Sequence, residues 1–427
     1  MKVAIAGYGQ EGEANYQYWS EQSAELTILD EKQPSLSLPK EANVEIGSTV
    51  FTNLDQYDLV IRTASLNPNK LKNAKKVWSA SNEFFAKCPA PIIGVTGTKG
   101  KGTTSTLIAE ILKAAGKTVH LVGNIGTPAL AELTKIEPAD FVVFELSSFQ
   151  LWDLEKSPQT SVVLMIEPDH QDIHASMAEY IEAKANIGKN QTSEDLLVYH
   201  PTNTYSAEIA EKSKALKKRF LTPEGAHISD GKIIIEENVI CETDEVGLLG
   251  NHNLENICAA ITAAWNYTQD LGAIKNAVTL FKGLPHRLEF VRELNGVKYY
   301  NDSFSSAPGA TVAAIKAFSQ PLVLICGGYD KRSDLTPIAD AIVESENMNH
   351  VILIGETKQN IADLLDAQGF SKYTIMTTTS FPEIISQATT HAVSEGVVLL
   401  SPGCASFDMF KNFYERGEQF KVIVSEL

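Results

Sequence analysis

Short apolar runs that alternate with helical stretches constrain this chain more than any other feature it has. KVAIAG opens into GYGQEGEANYQYW, and LTILD and DLVIRTA follow as further runs of strand length. PIIGVTG, KTVHLVGN, ADFVVFELS, TSVVLMIEP and DLLVYH continue the pattern, and VKYYNDS, PLVLICGG, HVILIG, YTIMTTT and VVLLSPG restart it. Continuous apolar runs separated by helices are the grammar of βα units around parallel sheets, whose strands are buried on both faces. KIIIEENVIC breaks the alternation and reads as a small antiparallel excursion, whereas NLENICAAITAAWNY has its apolar residues at helical spacing. The expected fold class is α/β, with three domains in series. These are a Rossmann-like N-terminal domain over 1–88, a central P-loop ATPase-type α/β domain over 89–288, and a C-terminal Rossmann-like α/β domain over 289–427. The boundaries are drawn at the proline-bearing KCPAPIIGV and at GLPHRLEFV. A chain of 427 residues exceeds one ordinary domain, and clefts between such domains are where substrates are expected to meet.

Charge and cysteine usage remove several function classes. With 53 acidic against 36 basic side chains, the net charge of −17 opposes coating by nucleic acid and adhesion to anionic membranes. Five scattered cysteines without a CxxC or Cys/His cluster suggest neither a disulfide framework nor a zinc site. The N-terminal apolar run is too short for a signal peptide, and no stretch approaches a transmembrane span. The expectation is a cytoplasmic protein with no nucleic-acid partner and no membrane insertion; nothing demands more than a monomer.

The chemistry concentrates at strand ends. In TGTKGKGTTS, Gly97 and Gly100 let backbone amides curl around a phosphate, Lys101 adds a point charge, and the following helix adds its dipole. The strict G-x-x-x-x-G-K spacing is not met, because Val95 stands five places before Gly100, and Gly102 occupies the usual magnesium hydroxyl position. Thr98, Lys99, Thr103 and Thr104 complete the loop, and Thr103 is the hydroxyl one place late. GYGQEG, with Gly9 and Gly12, is a GxGxxG between strand and helix, and Asp30 ends the next strand; the turn suits a dinucleotide or any diphosphate. Glu145 ends another strand, where a carboxylate suits magnesium beside a triphosphate. EPDHQDIH offers Glu167, Asp169, His170, Asp172 and His174, and Lys184 follows on a helix. Arg287, Lys331, Ser406 and Phe413 lie on loops around the last strands. A nicotinamide dehydrogenase would leave the second glycine loop unexplained. A nucleotide-binding module without catalysis would leave Glu145, His170, Lys184 and Lys331 unexplained.

TGTKGKGTT, GNIG, ELSSFQL, EPDHQD, EYIEAK, GNHNLEN, LPHRLE, NDS, GGYDK and SPGCASFDMFKNFYERGEQF, in this order, resemble the Mur ligase family over nearly the whole chain. The last block resembles its glutamate-adding branch. That resemblance implies an ATP-dependent ligase using Mg2+ to join D-glutamate to UDP-N-acetylmuramoyl-L-alanine through an acyl phosphate. It implies that Gly9, Gln10, Gly12 and Asp30 hold the uridine diphosphate end, and that Asn124, Ser147 and Gln150 position the muramoyl-alanine part. Gly97 to Thr104, Asn253, Asn256, Arg287 and Asp302 would contact ATP, with Lys101, His170, Lys184, Arg287 and Lys331 catalytic. Thr103, Glu145, His170 and a carbamylated Lys184 would hold metal, and Ser306, Lys331, Ser406 and Phe413 would frame the amino acid. Three residues depart from the family pattern. Lys99 stands for the usual Asn, Gly102 for Ser or Thr, and Phe304 for a lysine common in the D-glutamate branch. The loop form resembles that of folylpolyglutamate synthase, a relative lacking the first domain and the SPGCASFDMF tail.

Overall fold

The computed structural model describes every residue except 23, 24, 35, 125, 126, 171, 172 and 249, so Asp172 and the end of GNIG lie outside the described residues. The chain forms two compact units, one of residues 1–247 and 251–281, the other of residues 248–250 and 282–427.

The first unit opens with strands β1 (Lys2–Ala6), β2 (Glu25–Asp30), β3 (Asn43–Ile46), β4 (Leu59–Arg62) and β5 (Val77–Ser79), parallel in the order β3-β2-β1-β4-β5. Val3 to Ala6 are fully buried, and Ile5 pairs with Ile28 and Ile61 in the middle of the sheet. Helix Gln10–Ser20 leaves β1 through a turn that demands glycine. Gly7 has φ +92°, and a Cβ there would lie 2.3 Å from Thr63 Oγ1; a Cβ on Gly12 would lie 2.3 Å from the Gly7 carbonyl. The turn, the helix and the neighbouring strand are thus closed on one another.

The same unit continues with β6 (Ile92–Thr96), β7 (Val119–Gly123), β8 (Phe141–Glu145), β9 (Thr160–Val163), β10 (Leu196–Tyr199) and β11 (Leu216–Arg219). They form one parallel sheet in the order β11-β10-β9-β6-β8-β7. The strand order reverses about β6, which places a ligand crevice at its carboxyl end. Phe84 and Phe85, on the helix entering this part, pack edge-on and tilted against Phe144 of β8 in the shared core. A three-stranded antiparallel sheet, β12 (His227–Ser229), β13 (Lys232–Ile235) and β14 (Asn238–Glu242), forms the excursion.

Arg62 ties the first sheet to the second. Its guanidinium is fully buried and bonds Asp153 through Nε and Nη2 at 2.9 and 2.8 Å, with Nη1 on the Thr63, Ala64 and Leu66 carbonyls and Nη2 also on Phe149. A buried cation needs its donors consumed in this way.

The second unit holds β15 (Glu289–Leu294), β16 (Val297–Asn301), β17 (Leu322–Gly327), β18 (Met348–Ile354), β19 (Tyr373–Ile375) and β20 (Val397–Leu400), in the order β15-β16-β20-β17-β18-β19. All pairs are parallel except the β15–β16 hairpin. No helix among the described residues is long and apolar enough to cross a membrane.

Candidate active site

The loop after β6 is shaped by what packs on it. A Cβ on Gly97 would meet Leu164 Cβ at 2.7 Å, and one on Gly100, where φ is +83°, would meet Asn256 Oδ1 at 2.2 Å. Gly100 precedes helix Lys101–Ala114, whose first-turn amides therefore face the loop. Thr104 Oγ1 donates to Asn256 Oδ1 at 3.4 Å, and Asn256 Nδ2 donates to Asn253 Oδ1 at 3.1 Å, so helix Asn251–Ala264 brings both asparagines to the loop. Gly102, Thr103 and Thr104 are buried at the start of the helix. Thr98 pins the other side: its N–H donates to Met165 O, its hydroxyl lies 3.1 Å from Tyr180 Oη, and Glu167 N–H donates to it at 2.9 Å. Lys99 points outward and pairs with Glu167 at 3.2 Å.

Two lysines converge on this loop. Lys101 Nζ donates to the Gly97 and Thr98 carbonyls at 3.2 and 3.0 Å. Lys184, on helix Met177–Lys189 and only 1% exposed, donates to the same Gly97 carbonyl at 2.8 Å and to Thr96 Oγ1 at 3.4 Å. Its ammonium also stands 4.7 Å from the Tyr180 ring centre. Burial, then the charge of Lys101, hold the Lys184 amine well below the ordinary lysine range, against the pull of Asp169 and Glu145. Helix Met177–Lys189 thus delivers a nearly dry amine to the loop after β6. Glu145 is buried at the end of β8.

His170 lies on the rim with φ +51°, 3.6 Å from Asp169, its ring edge-on to Phe149. His174 is deeper. It stacks on Phe149 and Trp152, meets Tyr180 edge-on, and sets Nε2 3.0 Å from Ser148 Oγ. His174 was among the sequence candidates, but Trp152 and Tyr180 were not; for Tyr180 the Tyr–x–x–x–Lys spacing in EYIEAK, which puts it and Lys184 on one helix face, was the available signal. Ser147 and Gln150 are joined in a capping box. Asn124 is exposed just past Gly123, where a Cβ would lie 2.3 Å from Glu145 O. Among the described residues no group of three or more His, Cys, Asp or Glu side chains is arranged to hold a metal.

At the first glycine turn, Gly9 and Gln10 are exposed at the helix start, and Gly12 is buried beneath them. Asp30 accepts from the Tyr8 and Lys32 N–H groups at 2.8 and 3.0 Å, which closes the turn onto the end of β2.

In the second unit the NDS turn after β16 is rigid. Asp302 accepts from Leu288 N–H at 3.1 Å, Ser305 Oγ at 2.5 Å and Ser401 Oγ at 2.7 Å. Burial nevertheless pushes its carboxyl up to about 6, against those hydrogen bonds and the Arg287 charge. Arg416, buried and also missed in the sequence, holds Ser303 by Nε to Oγ and Nη2 to O, both at 2.9 Å, and reaches the Cys404 and Ala405 carbonyls. Arg287 lies over the Phe304 ring at 4.5 Å, and Phe304 meets Phe413 edge-on. Ser306 is on the same turn, bonded to Phe304 O. Lys331 is exposed, 5.9 Å from the Phe407 ring centre, and Ser406, beside Phe407, is buried, its backbone carbonyl accepting from the Met409 and Phe410 N–H groups.

Residues 95–264 match the Mur ligase middle domain, and residues 286–404 the Mur ligase glutamate ligase domain. The chain is 36% identical to a UDP-N-acetylmuramoylalanine--D-glutamate ligase of Clostridium kluyveri, over 100% of this chain and 97% of that protein. It is 37% identical to the ligase of the same name from Clostridium tetani, with the same coverage. A crystal structure of MurF from Acinetobacter baumannii shares the fold, with a TM-score of 0.65 at 14% identity over 100% of this chain and 93% of that one.

Proposed function

The chain belongs to the Mur ligase family, and from that premise we propose that it joins D-glutamate to UDP-N-acetylmuramoyl-L-alanine at the expense of ATP. This is an amide-forming step of peptidoglycan precursor synthesis, assigned to the cytoplasm and to a monomer. The observation that carries the choice of substrate is the full-length likeness to D-glutamate ligases, which includes the first sheet and the SPGCASFDMF tail. A folylpolyglutamate synthase would account for neither.

The chemistry follows from the parts. The alanine carboxylate attacks the γ-phosphate, ADP leaves, and an acyl phosphate remains. The neutral glutamate amine then attacks the acyl carbon to form the C–N bond; the tetrahedral intermediate loses an amine proton to solvent and breaks its C–O bond to phosphate, which leaves with the electron pair. Lys101 and the helix N-terminus at Gly100 offset negative charge gathering on the phosphoryl oxygens. Asn253 and Asn256 support the loop, and Gly97 to Thr104 line it. The three-domain division at 88/89 and 288/289 is part of the proposal. So are the remaining roles: Gly9, Gln10, Gly12 and Asp30 for uridine diphosphate, and Asn124, Ser147 and Gln150 for the muramoyl-alanine part. Arg287 and Asp302 are assigned to nucleotide, and Ser306, Lys331, Ser406 and Phe413 to the amino acid.

Mg2+ is assigned to Thr103, Glu145, His170 and Lys184. The fit rests on the buried carboxylate of Glu145 and on the dry, low-pKa amine of Lys184. A neutral amine can add carbon dioxide, which would turn the lysine into an anionic oxygen donor. When bound, the ion would neutralise phosphate charge.

The test is phosphate release from ATP with UDP-N-acetylmuramoyl-L-alanine and, in parallel, D-glutamate, L-glutamate or no amino acid. Release dependent on D-glutamate is expected. Release with L-glutamate alone, or with a folate acceptor alone, would replace the proposed substrate.

A further inference from the structure

We infer that Phe304 is a positioning residue for the ligase reaction: its ring face orients the Arg287 guanidinium, and the ring orients Phe413, which packs on it at right angles. The inference rests on the reading that assigns Arg287 to nucleotide and Phe413 to the amino acid. One side chain then sets the groups meant for both substrates.

The ring is held from behind. Phe304 N–H donates to His286 O at 2.9 Å. On one side Ser303 is clamped by Arg416, and its hydroxyl donates to Phe413 O at 2.8 Å. On the other side Ser305 is bonded to the buried Asp302 carboxylate. The backbone around Phe304 therefore has little freedom, while the ring itself stands 45% exposed. A large apolar side chain on a locked turn, yet half in solvent, contributes little to a core. Its contacts are of another kind. Arg287 Cζ sits 4.5 Å from the ring centre, inside cation–π range. The Phe413 ring lies 5.2 Å away at 87°, the edge-to-face arrangement that aromatic pairs prefer. Phe413 is in turn tilted on Tyr414 at 4.1 Å, so the start of the last helix is ordered through the same ring. An arginine laid on an aromatic face loses rotamer freedom, so the plane of its guanidinium is set by the ring.

The experiment compares Phe304→Leu with Phe304→Tyr by two readouts. In steady-state kinetics, Phe304→Leu should raise KM for ATP and for the amino acid about two- to fivefold each, with kcat within about twofold, and Phe304→Tyr should restore both. In 1H–15N spectra of arginine-labelled protein, the Arg287 Nε–H resonance, assigned by its loss in Arg287→Lys, should be ring-current shifted. That shift should vanish in Phe304→Leu and persist in Phe304→Tyr. Unchanged KM values in Phe304→Leu overturn the positioning role, and an unshifted wild-type resonance overturns the geometry. If wild-type enzyme uses another amino acid, the substrate reading fails by itself; KM is then measured for that amino acid, and the resonance still reads the placement.

Discussion

Replacing Lys184 by methionine should abolish ligase activity and stabilise the protein. The lysine is buried next to a second cation, and burial and that cation outweigh the pull of Asp169 and Glu145, so its place in the fold is costly whether it is ionised or forced neutral. Its hydrogen bonds are not irreplaceable. The Gly97 carbonyl keeps Lys101 Nζ at 3.2 Å, and Thr96 Oγ1 keeps the Leu146 carbonyl at 2.9 Å, so Lys184→Met orphans neither group. What is lost is two hydrogen bonds, one short and one at 3.4 Å, worth about 1–2 kcal/mol net together, the contact with the Tyr180 ring, about 1–2 kcal/mol, and the weaker pull of Asp169 and Glu145. What is recovered is a desolvation penalty of several kcal/mol and the repulsion from Lys101. Methionine has nearly the same length and keeps the van der Waals contact with Tyr180. The balance is a gain of about 1–3 kcal/mol. The assay is urea denaturation in bicarbonate-depleted buffer with chelator, beside Lys184→Ala. The alanine variant leaves a cavity and should fall about 2–3 kcal/mol below the methionine variant. Lys184→Met less stable than wild type by 1 kcal/mol or more, on the order of one hydrogen bond, would refute the reasoning. The hydrogen bonds and ring contact would then outweigh desolvation.

Other expectations are as concrete. Asp302, raised to about 6 when folded, binds more protons in the native than in the unfolded state between roughly pH 4 and 6. Its contribution is therefore fully present below the unfolded value and lost as pH rises through about 6, by up to ~3 kcal/mol. Asp302→Asn should remove that slope from the pH dependence of denaturation; an unchanged slope would count against the burial argument. Thr103→Val should weaken Mg·ATP use with little change in stability, whereas Thr104→Val, which deprives Asn256 of a donor, should cost about 1 kcal/mol. Equal loss of ATP use in both variants would sink the assignment of the metal hydroxyl to Thr103. Asp153→Ala leaves the Arg62 cation buried beside backbone carbonyls and should destabilise by about 3–5 kcal/mol, seen as an earlier urea midpoint. A shift near zero would show that the carbonyls alone suffice.

The strands legible in the sequence were those buried on both faces. Ile92–Thr96 and Leu322–Gly327 are buried along their whole length, so every residue had to be apolar or small. The edge strands Asn43–Ile46 and Leu216–Arg219 are largely exposed, and LKKR carries no apolar pattern at all. Those exist because a neighbour offers a ladder, which a single stretch of sequence does not reveal. Two hairpins were legible by turn chemistry and passed over. Asp230–Gly231 and Asn295–Gly296, each with φ positive at both residues, are the two-residue turns that pair Ser229 with Lys232 and Leu294 with Val297.

The site divides along a different line. Backbone-built parts could be read, because a loop that must approach a phosphate or another chain segment writes itself in glycine: Gly97 and Gly100 each leave room that a side chain would fill. Parts built from side chains converging on one point could be named only through the family resemblance, not from spacing or pattern. Lys184 and Lys101 are far apart in sequence and bond the same carbonyl, and Arg416 reaches back to Ser303 across more than a hundred residues. A lysine in EYIEAK looks solvated by its neighbours, since Glu182 and Lys189 share its helix. Only the packing of that helix on the loop after β6 strips its water. That desolvation separates a buried amine, held well below the ordinary lysine range, from a surface cation, and it is a property of the fold rather than of the motif.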